Sequence, residues 1–127
     1  MIAVDTSALM AVLLGEAQAD ECASVLESAG SLLISSGTLA EALIVAARRN
    51  LGVEMAMLID GLGFEIANVT PAAARRIALA YETWGRGLHP AGLNFGDCSA
   101  YEVAKENACP LLYVGEDFSR TDIESAL

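Results

Sequence analysis

Short runs of apolar residues alternate with longer alanine-rich segments along the whole chain, and this alternation restricts the fold more than any other feature. The apolar runs occupy residues 2–4, 32–34, 64–67 and 111–114. Runs of this length suit strands that are buried on both faces, as in parallel sheets. Helical patterns fill residues 7–14, 17–29, 38–50, 52–62, 71–84 and 95–107. The alternation of strand and helix predicts an α/β protein with layered helices and a parallel sheet.

The length and composition narrow the class of protein further. A chain of 127 residues has room for one domain, and we expect a single domain over residues 1–127. A hydrophobic fraction of 54% excludes intrinsic disorder. The longest apolar runs, 8–14 and 42–47, are far shorter than the roughly 20 residues of a membrane-spanning helix. Asp5 interrupts the first apolar run, which argues against a secretory signal.

The three cysteines, Cys22, Cys98 and Cys109, form no CxxC pair and no even set. This pattern indicates small buried side chains in a reducing compartment, and we expect a cytoplasmic protein that does not contact the membrane. The net charge of −10 argues against nucleic-acid binding through a basic surface. The acidity is either a solvated surface or is concentrated in a site that holds a cation.

Four carboxylates follow the predicted strands or begin the helices beside them. Asp5 ends the first strand, Glu41 lies near the start of the helix after the second, and Asp117 follows the fourth. Asp97 begins the helix that leads into the fourth strand. Ligands of open α/β sheets bind at the carboxyl ends of the strands. The topology therefore predicts that all four side chains lie at one end of the sheet.

Each of these acids also has a structural interpretation. Thr38 and Glu41 have the spacing of a helix capping box, and Asn94 and Asp97 resemble one with a shorter acid. Asp117 could be an ordinary turn residue. Asp5 is the hardest to explain in this way, because a carboxylate after a buried strand is costly unless it is paired or bound.

A cation would resolve the repulsion among clustered carboxylates, which otherwise raise one another's pKa. Oxygen ligands favour Mg²⁺ or Mn²⁺, and a single histidine, His89, with unpatterned cysteines argues against zinc. Mg²⁺ sites are commonly completed by substrate phosphate oxygens, so a phosphodiester is the expected substrate. The segment 85–94 around His89 is a predicted loop, in which this histidine is either functional or merely polar.

Four segments, taken in order, resemble the PIN-domain proteins, and most nearly the VapC-type toxin ribonucleases of bacterial type II toxin–antitoxin pairs. They are IAVDTSAL at residues 2–9, the helix carrying Glu41, LNFGDCSAY at 93–101 and GEDFSRTDI at 115–123. Asp-Thr-Ser alone is common, but the four segments at this spacing cover essentially the whole chain. The resemblance implies a three-layer α/β/α sandwich with a central parallel sheet.

The resemblance also implies an endoribonuclease that uses Mg²⁺ or Mn²⁺. The acidic quartet of the family falls on Asp5, Glu41, Asp97 and Asp117, with Asp5 and Asp97 as the principal metal ligands. Thr6 or Ser7 matches a Ser/Thr position near the first acid, and Asp122 matches a commonly acidic position of less defined role. Glu116 departs from the pattern and leaves open which of Glu116 and Asp117 points inward. The partners implied are RNA, a VapB-type antitoxin and a second copy of the chain in a homodimer.

Two other functions compete with this hypothesis. A phosphatase of the haloacid-dehalogenase type also begins with an aspartate after a strand, but it needs a second aspartate where this chain has Ser7. A non-catalytic PIN module that binds RNA or protein is the other alternative, and the intact quartet argues against it. The few basic residues define no phosphate track, so the sequence does not identify the RNA.

Overall fold

The computed structural model describes residues 1–127, and it forms a parallel sheet flanked by six helices. The four strands are β1 (Ile2–Val4), β2 (Leu32–Ser35), β3 (Glu65–Ala67) and β4 (Leu111–Leu112). The helices are α1 (Thr6–Leu14), α2 (Ala19–Ser28), α3 (Ser36–Arg48), α4 (Gly52–Leu62), α5 (Pro71–Trp84) and α6 (Phe95–Glu106). A 3-10 helix at Phe118–Arg120 follows β4. The predicted α/β/α sandwich with a central parallel sheet is confirmed.

The sheet has the strand order β3-β2-β1-β4, and all pairs are parallel. Ala3 lies at its centre, where it is in register with Leu33 of β2 and Leu111 of β4. Parallel strands end at the same edge of the sheet. The residues that follow β1, β2 and β4 are therefore brought to one edge, as the sequence predicts.

Both faces of the sheet are buried at β1, β2 and β4, whereas the edge strand β3 is largely exposed. Successive side chains of a strand point to opposite sides of the sheet. Ala3 and Leu111 pack into one apolar cluster with residues of α5 and α6. Val4 and Leu112, the next residues along each strand, pack into a second cluster with residues of α1 to α4. This double burial explains why β1, β2 and β4 appear in the sequence as continuous apolar runs. None of the helices has the length and apolar character needed to span a membrane.

Helix α3 begins earlier than the sequence indicates. Ser35 is its N-cap and accepts a hydrogen bond from the backbone N–H of Gly37 (3.1 Å). Thr38 is therefore inside the helix and fully buried, and the predicted Thr38–Glu41 capping box is wrong. Ser35 takes the N-cap position instead of Thr38 because it is the last residue of β2, and its side-chain oxygen lies where the chain turns from the strand into the helix. Glu41 consequently lies in the second turn of α3.

The loop between α5 and α6 is tied down by contacts of its own. The ring of His89 packs edge-on against Trp84 with centroids 4.7 Å apart, and its Nδ1 accepts a hydrogen bond from Ala91 N (3.0 Å). Arg120 donates to the carbonyl oxygen of Pro90 (3.3 Å). These contacts give His89 a structural role in the loop, which matches the plainer of the two interpretations offered by the sequence.

Candidate active site

Asp5 lies immediately after β1, and only 3% of its surface is exposed. Its Oδ2 accepts two hydrogen bonds from Ser7, from the backbone N–H (3.1 Å) and from the hydroxyl (2.6 Å). Its Oδ1 is buried and has no partner. Burial raises the pKa of Asp5 to about 7, the bonds from Ser7 oppose that rise, and the charges of Asp97 and Glu41 add to it. An unpaired carboxylate oxygen in such a place is costly unless a cation or proton joins it.

Ser7 connects Asp5 to the neighbouring strand. Its hydroxyl donates to Asp5 and accepts a hydrogen bond from the backbone N–H of Val114, 3.0 Å away and just beyond β4. One side chain therefore fixes both the carboxylate and the point where the chain leaves the sheet. The sequence offered Thr6 or Ser7 as the hydroxyl beside Asp5, and the structure places Ser7 in contact with that acid.

Glu41 reaches the site from α3 and is held there by Thr6. The hydroxyl of Thr6 donates to Glu41 Oε1 at 2.7 Å. The other carboxylate oxygen, Oε2, lies against Gly96 so closely that a β-carbon on residue 96 would overlap it. The same two helices approach each other at a second point, where a β-carbon on Gly37 of α3 would lie 2.7 Å from Oγ of Ser99 on α6. The two glycines allow α3 and α6 to approach closely, and this approach brings Glu41 to the start of α6.

Asp97 is both part of a helix cap and a member of the carboxylate group. It completes a capping box at the start of α6: Asn94 N donates to Asp97 Oδ2 (3.0 Å), and Asp97 N donates to Asn94 Oδ1 (2.8 Å). Burial raises the pKa of Asp97 to about 6, and the charges of Asp117 and Glu41 add to the rise, whereas the Asn94 bond and Arg86 oppose it. The structural and functional interpretations of Asp97 are thus compatible.

Asp117 and Glu116 lie on the turn after β4, and both are exposed. The charge of Asp117 acts on Asp97, which places Asp117 on the side of the other carboxylates. Glu116 instead accepts a hydrogen bond from Ser119 Oγ through its backbone carbonyl (2.5 Å), and its Oε2 lies 3.5 Å from the same hydroxyl. Of these two acids, Asp117 is the one whose charge raises the pKa of Asp97.

Asp122 is held away from this group. It accepts hydrogen bonds from the Tyr101 hydroxyl (2.6 Å) and from Lys105 Nζ (3.1 Å). Those contacts lower the pKa of Asp122. Its role here is to fasten the C-terminal segment to α6.

The carboxylates fit a hard divalent cation in chemistry, although no three His, Cys, Asp or Glu side chains already converge as a metal-binding cluster. One oxygen of each of three acids already accepts a hydrogen bond from a neighbouring residue: Asp5 from Ser7, Glu41 from Thr6 and Asp97 from Asn94. The free Oδ1 of Asp5 is the exception. Mg²⁺ commonly uses one or two protein carboxylates together with water and substrate oxygens. The donor set is adequate for that mode of binding and lacks the ligands of a zinc site.

Gly96 and the Thr6–Glu41 pair are features of the site that sequence reasoning did not isolate. Gly96 directly precedes Asp97. The reason that position 96 has no room for a β-carbon becomes visible only when α3, which carries Glu41, is packed against α6. Thr6 was identified as an alternative to Ser7 beside Asp5. In the structure the two hydroxyls have separate partners, Ser7 on Asp5 and Thr6 on Glu41.

The comparisons with known proteins agree with this arrangement. The PIN domain family model matches residues 2–124. Ribonuclease VapC30 of Mycobacterium tuberculosis is 38% identical over 123 residues, covering 94% of both chains. Ribonuclease VapC28 of the same organism is 38% identical over 128 residues, covering 98% of this chain and 96% of its own. The chain therefore belongs to the PIN-domain family, and within that family to the VapC ribonucleases.

Solved structures share the fold at lower sequence identity. A crystal structure of VapC20 from Mycobacterium tuberculosis, described as a sarcin-ricin loop cleaving toxin, superposes with a TM-score of 0.77 at 19% identity. It covers 97% of this chain and 96% of its own. A toxin–antitoxin complex from Klebsiella pneumoniae matches with a TM-score of 0.72 at 19% identity, covering 96% and 93%. These similarities establish the fold.

Proposed function

We propose that residues 1–127 form one PIN domain that acts as an Mg²⁺- or Mn²⁺-dependent endoribonuclease and hydrolyses RNA phosphodiesters. The observation that carries the proposal is the buried Oδ1 of Asp5, which has no hydrogen-bond partner, in a carboxylate whose pKa is further raised by the charges of Asp97 and Glu41. A fold that needed Asp5 only for structure would pair both oxygens, because unpaired buried carboxylates are strongly destabilising. A bound divalent cation fits this donor set and supports hydrolysis of a phosphodiester.

The residues of the site divide into those that hold the cation and those that position them. Asp5 and Asp97 are the principal ligands, and Glu41 and Asp117 complete the negative charge, directly or through water. When bound, Mg²⁺ or Mn²⁺ lowers the pKa of water and stabilises charge on the phosphate oxygens. Ser7 orients Asp5, and Thr6 orients Glu41. Asn94 fixes Asp97 at the start of α6.

The test is cleavage of total cellular RNA by the purified chain, followed by mapping of the new ends. Attack by water predicts products with 5′-phosphate and 3′-hydroxyl ends, and EDTA should stop the reaction. Products with 2′,3′-cyclic phosphates would contradict the proposal, since they require attack by the 2′-hydroxyl of the substrate. RNA that is bound but never cut would instead favour the alternative of a non-catalytic PIN module.

The chain is further proposed to be the toxin of a type II toxin–antitoxin pair that acts in the cytoplasm and is inhibited by a VapB-type antitoxin. The support is its membership among VapC ribonucleases and its fold similarity to a protein described as a toxin–antitoxin complex. An arginine guanidinium can pair with two carboxylate oxygens at once. An Arg or Lys of the antitoxin would therefore compete with the cation near Asp5 and Asp97.

Exposed apolar residues on α3 and α4 supply a surface for these partners. Ile44 is 61% exposed, Val53 71% and Met57 70%. Apolar side chains exposed together on neighbouring helices are typical of protein interfaces. We assign this surface to the hydrophobic part of the antitoxin and to a homodimer contact.

The partner proposal is tested by co-expressing the chain with the protein encoded by the neighbouring gene. A stable complex that loses inhibition as Mg²⁺ is raised would support competition at the carboxylates. The proposal fails if the neighbour does not bind, or if inhibition is complete while the carboxylate site remains open to metal and RNA.

A further inference from the structure

A groove of about 610 Å³ opens between α5 and the start of α6, next to the carboxylate site. Its volume lies within the roughly 300–1,000 Å³ typical of sites that bind small molecules. Asn94 belongs to both features: it lines the groove and forms the capping box with Asp97. The groove therefore adjoins the site described above at Asn94.

Phe95 lines this groove and contributes nothing to either apolar cluster. With 76% of its surface exposed, it has the highest exposure among the large hydrophobic residues of the chain. Tyr81 lines the same groove from α5 and is 37% exposed. Two aromatic side chains thus line one groove, and the more exposed of them, Phe95, lies two residues before Asp97.

Arg86 adds a positive charge at the same place. It lines the groove, is exposed, and has no part in the three ion pairs of the chain, which use Arg76 and Lys105. In a chain with a net charge of −10, this unpaired cation offers a contact for a phosphate that enters the site.

We propose, building on the endoribonuclease function above, that this groove binds a nucleobase next to the scissile phosphate. Phe95 stacks on the base, and Arg86 contacts a neighbouring phosphate. An exposed aromatic ring combined with a cation is the arrangement that recognises unpaired bases of single-stranded RNA. The continuity of the groove with Asp97 through Asn94 favours the RNA substrate over a protein partner as the occupant.

The experiment uses Phe95→Ala and a short single-stranded RNA that spans one mapped cleavage site and carries a fluorescent label. Affinity is measured by anisotropy and cleavage by kcat/KM. Loss of a base–aromatic stack should weaken affinity and kcat/KM by about 5- to 150-fold. Replacing the adjacent nucleotide by an abasic one should cause a similar loss in the unchanged protein and little further loss in Phe95→Ala. Phe95→Trp should retain most of the affinity.

Leu79→Ala is the matched control, because Leu79 is 61% exposed on α5 but lines a different cavity. It should leave both measurements unchanged, and thermal unfolding should show that each variant is folded. Unchanged RNA affinity and cleavage in Phe95→Ala would overturn the groove proposal. This holds even if the variant binds the antitoxin more weakly, since that result would make the groove a contact for protein and not for RNA. RNA that is bound by the unchanged chain but never cut would overturn the endoribonuclease function, and the effect of Phe95→Ala on affinity would still decide the groove. A chain that neither binds nor cuts RNA overturns both.

Discussion

Gly96 lies so close to Glu41 that a β-carbon at position 96 would overlap the carboxylate oxygen Oε2. The absence of a side chain in α6 thus makes room for an acid of α3. Thr6 donates a hydrogen bond to the other oxygen of the same carboxylate, Oε1 (2.7 Å). The position of Glu41 is therefore determined by three segments that are distant in sequence.

Gly96→Ala should reduce RNA cleavage while leaving the protein folded. The flexible end of Glu41 can swing away from an added methyl group, so we expect little loss of stability, and alanine even favours the helix by about 1 kcal/mol. A displacement of about 1 Å in a catalytic group can cost on the order of 100-fold in rate. We expect a decrease of about 10- to 100-fold in kcat/KM, measured on a mapped RNA site.

Gly61→Ala is the control for this change, because Gly61 also lies in a helix and has no atom near its missing β-carbon. It should not affect cleavage. Full activity in Gly96→Ala would show that the contact with Glu41 has no catalytic importance.

Asp97→Asn should separate the capping role of Asp97 from its charge. The amide oxygen can still accept the bond from Asn94 N, and asparagine is tolerated in helix caps, so the fold should persist. Removing one charge from the carboxylate group should leave stability equal or higher. RNA cleavage should fall by about 100-fold or more, in line with the loss of a charged group of the catalytic site.

Asp20→Asn provides the comparison, since Asp20 also lies in the first turn of a helix but is exposed on α2. It should retain full cleavage activity. A folded Asp97→Asn protein with undiminished activity would remove Asp97 from the metal site.

The metal-free protein should lose stability as the pH rises from about 4 to about 7, because Asp5 binds its proton more tightly when folded. Its pKa is raised from 3.8 to about 7 in the folded state. The folded protein therefore holds more protons than the unfolded chain across that range, and the stability gained below pH 4 is lost as the carboxyl ionises. The loss is on the order of a few kcal/mol.

Urea unfolding in EDTA at several pH values measures this effect. Asp5→Asn should flatten the dependence, and its difference from the unchanged protein isolates Asp5 from the other acids. Added Mg²⁺ should restore more stability at high pH than at low pH. Stability that rises toward pH 7 in EDTA to the same extent in both proteins would contradict the assigned environment of Asp5.

Ser7→Ala should destabilise the protein by about 1–3 kcal/mol, because it leaves the N–H of Val114 without its acceptor and removes one hydrogen bond to Asp5. Cleavage should also decrease, since the carboxylate loses part of its orientation. Urea unfolding and RNA cleavage measure the two effects. Ser28→Ala is the control, because that exposed hydroxyl bonds only to carbonyl groups of its own helix. Equal stability of the two variants would mean that Ser7 does not connect β1 to β4.

The sequence by itself determined the class of fold and the place of Asp5 at the end of a buried strand. Continuous apolar runs indicate strands that are buried on both faces. Ala3 and Val4 show the physical basis, because these consecutive residues pack into the two different apolar clusters on either side of the sheet. An acid that follows such a strand must end at the edge of the sheet, so Asp5 could be placed before its neighbours were known. The capping box of Asn94 and Asp97 was equally accessible, because a helix start depends on residues three positions apart.

Only the tertiary structure decided how those residues contact one another. Helix α3 begins at Ser36 because Ser35, and not Thr38, is its N-cap. Both residues have a hydroxyl that can cap a helix, and their spacing in the sequence does not show which of them does so. Two further contacts depend on how the segments pack together in the fold. Gly96 lies against Glu41, and Asp122 accepts hydrogen bonds from Tyr101 and Lys105. The spacing of residue types along the chain predicts strands, helices and helix caps. How closely two distant segments approach each other depends on the packing of many side chains at once, which this spacing does not show.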